Sequence, residues 1–141
     1  MAQKKSVKRE IKKIADILVE RLKAHGFHIM RYDAYSTESV YLKLDYGVAH
    51  SIRISAHEGY QHLSYKYNIF KDWRGSRFRK DDKGFWRIYF NFKEIDAAVE
   101  KMVADREFIR EKYYQDYISE MQKRRIENAG KRGFWTQAVE V

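Results

Sequence analysis

The feature that most constrains the fold is a change of hydrophobic period, made twice along the chain. Val7, Ile11, Ile14, Ala15, Leu18 and Leu22 recur at steps of three and four, the spacing that lines one face of an α-helix. It predicts a helix from Ser6 to His25, with Ser6 as N-cap and Gly26 at the C-terminal cap. After Gly26 the period becomes two, as in a strand with one buried face. Phe27 to Tyr35 reads as a first strand. Val40, Leu42 and Leu44 alternate with Tyr41, Lys43 and Asp45 in a second. Ile52 and Ile54 alternate with Ser51, Arg53 and Ser55 in a third, and Leu63, Tyr65, Tyr67 and Ile69 mark a fourth. Phe85 to Phe90 gives a fifth. Asp45-Tyr46-Gly47 and Glu58-Gly59 are turn signals, and connections this short join antiparallel neighbours. At Asn91 the helical period returns. Asn91 and Glu94 have the spacing of a capping box, and Ile95, Val99, Met102, Ile109, Tyr113 and Tyr117 continue the stripe towards Asn128.

The expected fold class is therefore α+β: an N-terminal helix, an antiparallel sheet of four to five strands and a long C-terminal helix. That last helix is about 52 Å long at the usual rise per residue. A domain of this size has a radius of gyration of about 14 Å. The helix must project beyond the body, break, or pack against a second copy as a homodimer. Its apolar stripe thins at Asp105 and Arg106, which is where a kink would fall.

With 141 residues, the chain reads as one domain, with a basic N-terminal segment at 1–13 and a basic tail at 122–141. It has no cysteine, which excludes disulfides and thiolate metal sites. Met1 to Lys13 lacks the apolar stretch of a signal peptide. No run approaches a membrane span, and no lipidation motif is present. The expected setting is the cytoplasm, without a membrane partner.

The net charge of +9 is unevenly placed. Lys4 to Lys13 carries +5, Lys71 to Arg87 carries +4 and Lys123 to Arg132 carries +4, leaving −4 on everything else. Clustered charge steers polyanions. In the central cluster rings interleave with the cations, at Trp73-Arg74, Phe78-Arg79 and Phe85-Trp86-Arg87. Rings beside arginines can stack on bases and grip phosphates. Arg53 alternates with Ile52 and Ile54, so it belongs to the face away from the core. The candidate contacts to nucleic acid or a partner are Lys8, Arg9, Arg53, Trp73, Arg74, Arg77, Arg79, Lys80, Arg87, Arg124, Arg125, Arg132 and Trp135.

Catalytic chemistry is poorly represented. His50, His57 and His62 match no metal-binding spacing. Asp33, Glu38 and Asp45, with Lys43 on the second strand, form a loose version of a metal-dependent nuclease centre. No glycine elbow frames a serine, and no phosphate-cradling glycine motif occurs. The expectation is a protein without catalytic residues, resident metal or cofactor, with a small metal-dependent nuclease as a lesser alternative.

Three segments carry a resemblance. Tyr35-Ser36-Thr37-Glu38-Ser39-Val40-Tyr41-Leu42 is followed by Ser51-Ile52-Arg53-Ile54-Ser55-Ala56-His57, and Trp86-Arg87-Ile88-Tyr89-Phe90-Asn91 then leads into the long helix. This order, after a basic start, resembles the broad-spectrum type II anti-CRISPR proteins of phages and mobile elements, over Ser6 to Ile109. The basic C-terminus with Phe134-Trp135 departs from that pattern. The resemblance implies an inhibitor of a type II CRISPR nuclease in the host bacterial cell, binding the effector or its guide or target nucleic acid. Such effectors hold their nucleic acid in positively charged channels, so a basic inhibitor would bind RNA, exposed phosphates or an acidic face rather than mimic DNA. A nucleic-acid-binding accessory protein without inhibitor role is the alternative.

Overall fold

The structure is a computed structural model that describes residues 2–34, 39–48, 50–57, 60–68, 85–128 and 137–141. Helix α1 (Ala2–Ala24) leads into β1 (Ile29–Asp33) and β2 (Val40–Leu44). A single 3-10 turn (Asp45–Gly47) precedes β3 (His50–His57) and β4 (Tyr60–Asn68). Strand β5 (Phe85–Asn91) feeds a 3-10 turn (Phe92–Glu94), helix α2 (Ile95–Asn128) and finally β6 (Val139–Glu140). The strands form one antiparallel sheet in the order β5-β4-β3-β2-β1-β6.

The α+β class holds, with two corrections. The sheet has six strands, not four to five. The sixth pairs only Met30 with Glu140 and Arg31 with Val139, and two residues are too few to show any period. Helix α1 starts at Ala2, so Ser6 lies inside it and is not its N-cap. Its C-terminus behaves as expected. Gly26 has φ +85°, its N–H donates to Lys23 O, and the N–H of Phe27 donates to Leu22 O. This is a Schellman cap. Phe27 therefore belongs to the cap rather than to β1, and both Phe27 and Leu22 enter the core. Asn91 and Glu94 make the capping box: Glu94 Oε1 accepts from the Asn91 N–H at 2.9 Å, and Asn91 Oδ1 accepts from the Lys93 N–H at 2.9 Å.

Both helices bury their stripes on one face of the sheet. Ile11, Ala15, Leu18 and Leu22 of α1 meet Leu42, Leu44, Ile52, Ile54 and Leu63 of the sheet, and Ala98, Met102, Ile109 and Tyr117 of α2 complete the same core. Each fully buried large aliphatic side chain contributes about 1.5–3 kcal/mol.

Helix α2 runs its 34 residues without a break. Its stripe thins at Asp105 and Arg106 because the interior there is polar, and both residues are buried. Asp105 accepts from Tyr65 Oη at 3.1 Å and from Lys101 Nζ at 2.9 Å. Arg106 Nε donates to Asp45 Oδ2 at 2.6 Å, and its terminal nitrogens donate to the carbonyls of His25 and Gly26. The far part of the helix reaches the β2–β3 turn, where Tyr117 donates to Asp45 and Arg124 to Gly47 O. The helix thus spends its length against its own body.

Candidate nucleic-acid interface

Alternation sends every second residue of each strand to the face opposite the helices, and the register shows which of them are neighbours. One cross-strand row is Tyr32, Tyr41, Arg53, Ser64 and Tyr89. The next is Met30, Lys43, Ser51, Lys66 and Arg87. A third joins Ser55, His62 and Asn91. Across β1 to β5 these rows hold Lys43, Arg53, Lys66 and Arg87 and no aspartate or glutamate, and on β6 Glu140 continues the second row. Glu140, opposite Met30 at the far edge, accepts a hydrogen bond from Tyr46.

The rings on this face are arranged as well as present. Tyr32 and Tyr41 stack with centroids 6.1 Å apart. Arg53 lies over Tyr41, its guanidinium carbon 5.7 Å from the ring centre. The edge of one ring meets the face of the other between His62 and Tyr89, 5.6 Å apart. Tyr89 is 57% exposed and Arg53 is also exposed. Ser55 and Ser64 beside them are buried. They are small hydroxyl-bearing residues set between larger side chains on this face.

At one end of the face stands the turn after β2. Asp45 and Tyr46 have φ of +52° and +56°, and Gly47 has +88°. Positive φ strains the two non-glycine residues and persists only where the surroundings over-determine it. Asp45 supplies the determinants. Its carboxylate accepts from Arg106, Tyr117 and the backbone N–H of His28. Gly47 lets Arg124 Nη1 approach to 3.4 Å of the place a Cβ would occupy, with Lys43 Cδ at 3.9 Å. Burial, then the nearby Arg124 charge, pulls the Lys43 ammonium below its ordinary pKa.

The residues singled out from the sequence separate into groups. Arg53 is at the centre of the open face. Arg87 occupies a register position on that face and Lys8 lies in α1, both described by backbone alone. Arg9 is exposed on α1, in the helical layer on the other side of the sheet from Arg53. Arg124 is engaged structurally, donating to Glu120 at 3.0 Å and to Gly47 O at 3.2 Å. Arg125 is exposed over Tyr46, 5.9 Å from the ring centre. Trp73, Arg74, Arg77, Arg79, Lys80, Arg132 and Trp135 lie outside the described residues. Tyr41, Lys43 and Tyr89 are the additions. The first two were visible as out-of-phase residues on the second strand, but the pairing of Arg53 through Ser64 to Tyr89 is a property of register.

Two of the three carboxylates of the nuclease alternative are engaged elsewhere. Asp45 is fully buried and salt-bridged to Arg106, while Asp33 is bound by Arg31 at 2.7 Å. Glu38 lies outside the described residues. The histidines separate as well. His50 is in phase with Ile52 and buried against Tyr65, while His62 pairs with Ser55 on the opposite face. Among the described residues no group of three or more histidine or carboxylate side chains is placed to hold a metal ion. No helix among the described residues is long and apolar enough to cross a membrane. Comparison with protein families, curated proteins and solved structures gives no match.

Proposed function

We propose that this chain is a non-catalytic nucleic-acid-binding protein whose open sheet face receives single-stranded RNA or DNA. The observation that carries the reading is the pair of rows that, across β2 to β5, hold Lys43, Arg53, Lys66 and Arg87 with Tyr41 and Tyr89 and no carboxylate. A sheet that offers rings and cations on one face suits splayed bases, which stack on the rings while phosphates meet the cations. A duplex hides its bases from such a surface. Labelled oligouridylate and a duplex of equal length, titrated between 50 and 200 mM salt, test this. Single strands should bind more tightly. A slope of about −3 in log K against log salt is expected if the four cations each meet a phosphate, at about −0.7 per phosphate. Equal or tighter binding of the duplex would refute the reading.

A narrower role is favoured by one residue. In Ile52-Arg53-Ile54-Ser55-Ala56-His57, the segment that resembles the type II anti-CRISPR proteins, the arginine is the exposed centre of the same face. In this role the protein belongs to a phage or mobile element and inhibits a type II CRISPR nuclease by binding the guide or target strand that the effector holds. Purified protein added to target-cleavage reactions should slow cleavage, and Arg53→Glu should relieve that effect. Unchanged cleavage across several type II effectors would remove the inhibitor role and leave strand binding intact.

A further inference from the structure

Arg53 is more than a charge on a surface, because its neighbours hold it in place. Its Nε donates to Ser39 Oγ at 3.3 Å, and its guanidinium lies over the Tyr41 ring. Those contacts use the inner edge of the group. Among the described residues its two terminal nitrogens meet no hydrogen-bond acceptor. Ser64 is its cross-strand partner, and Ser55 stands two residues along β3. Both bring a hydroxyl to the same face beside Arg53.

We propose that Arg53, with Ser55 and Ser64, seats one phosphodiester group of a single strand, and that Tyr89 stacks the adjoining base. The proposal deepens the strand-binding reading above and rests on it. Two parallel N–H groups match two phosphate oxygens. A guanine edge also offers two acceptors, but the Tyr41 face beside Arg53 is covered by the guanidinium itself. The free platform is Tyr89, two strands over at about 9.5 Å. The His62 ring packs against Tyr89 in an edge-to-face arrangement, 5.6 Å between centres.

Salt-dependent binding of labelled oligouridylate and oligoguanylate by the full chain tests the seat. Arg53→Gln should reduce the salt slope by about 0.7 on both oligomers, the value for one phosphate on a single strand. Arg53→Lys should restore the slope but leave affinity several-fold low, since the charge returns without the fork. Tyr89→Ala should weaken binding about five- to 150-fold with the slope unchanged. Both sites are exposed, so these variants should fold. An unchanged slope in Arg53→Gln overturns the phosphate seat, and so does a loss confined to oligoguanylate, which would assign Arg53 to a base edge. Wild-type binding unaffected by any of the three changes removes the seat alone. Failure of the wild-type chain to bind either oligomer removes the seat and the strand-binding reading together.

Discussion

At the scale of single residues, the polar groups inside the protein are organised around Asp45. Its carboxylate joins the turn after β2 to α2 and to the α1–β1 connection, through Arg106, Tyr117 and the His28 amide. Arg106 is also packed on the Phe27 ring, 4.3 Å from its centre. Removing one partner of a buried pair strands the other charge, at a cost of about 3–5 kcal/mol. Arg106→Met should therefore lower the urea midpoint sharply, and a midpoint close to wild type would show that the pair is dispensable. His50 has a different consequence. Burial, followed by the charges of Lys101 and Arg106, lowers its pKa from 6.5 to about 3. Asp105 and Tyr65 also face this part of the interior. A depressed pKa means that the unfolded chain takes up the proton first as pH falls. Stability from this group is complete above pH 6.5 and is lost towards pH 3. The loss at pH 5 is on the order of 2 kcal/mol. Chemical denaturation of His50→Phe at pH 7 and pH 5 should show a smaller acid loss than wild type.

At the scale of elements, the two helices differ in how much of them the sequence announces. The stripe and glycine cap of α1 were legible, because both are local. Gly26→Ala forces a side chain into φ +85° and should cost about 1–2 kcal/mol, measurable as a lower melting temperature. Asn91→Ala removes half of a capping box and should cost about 1 kcal/mol. The apparent interruption of α2 at Asp105 and Arg106 could not be interpreted without the groups opposite. Tyr65 and Asp45 receive them, so polar residues occupy core positions and the helix continues. The homodimer expected through α2 can be tested at that helix's exposed apolar residues. Phe108 is 50% exposed and Ile126 is 75% exposed. Glu at both positions should convert a dimer to a monomer in sedimentation, and a wild-type chain that is already monomeric at high concentration ends that proposal.

For the whole molecule, the acid and alkaline limits of stability come from different groups around the same buried region. His50 sets the first. Tyr46 is raised to about 12 by burial, then by its hydrogen bond to Glu140, and Tyr117 is raised by burial and by Asp45. A raised tyrosine pKa means that the folded chain keeps its proton longer, so stability falls as pH climbs from 10 towards 12. The unfolding midpoint should be flat between about pH 6.5 and 10 and decline on both sides. Phenylalanine at Tyr46 should soften the alkaline decline.

Local pattern determined the α+β class, the five longer strands, both helices, the C-terminal cap of α1 and the capping box of α2, because period, turn residues and cap spacing act over a few residues. It also marked Arg53 as facing away from the core. Tertiary structure decided the rest. A two-residue β6 has no periodic signal and exists only because β1 offers an edge. The buried Asp45–Arg106 pair joins residues far apart in the chain, so neither partner could be identified from its own neighbourhood. The open face depends on strand register: only pairing brings Lys43, Arg53, Lys66 and Arg87 into two adjacent rows across β2 to β5. Charge counted along the chain pointed to three segments, whereas the sheet gathers a fourth group of cations from strands that look nearly neutral one at a time.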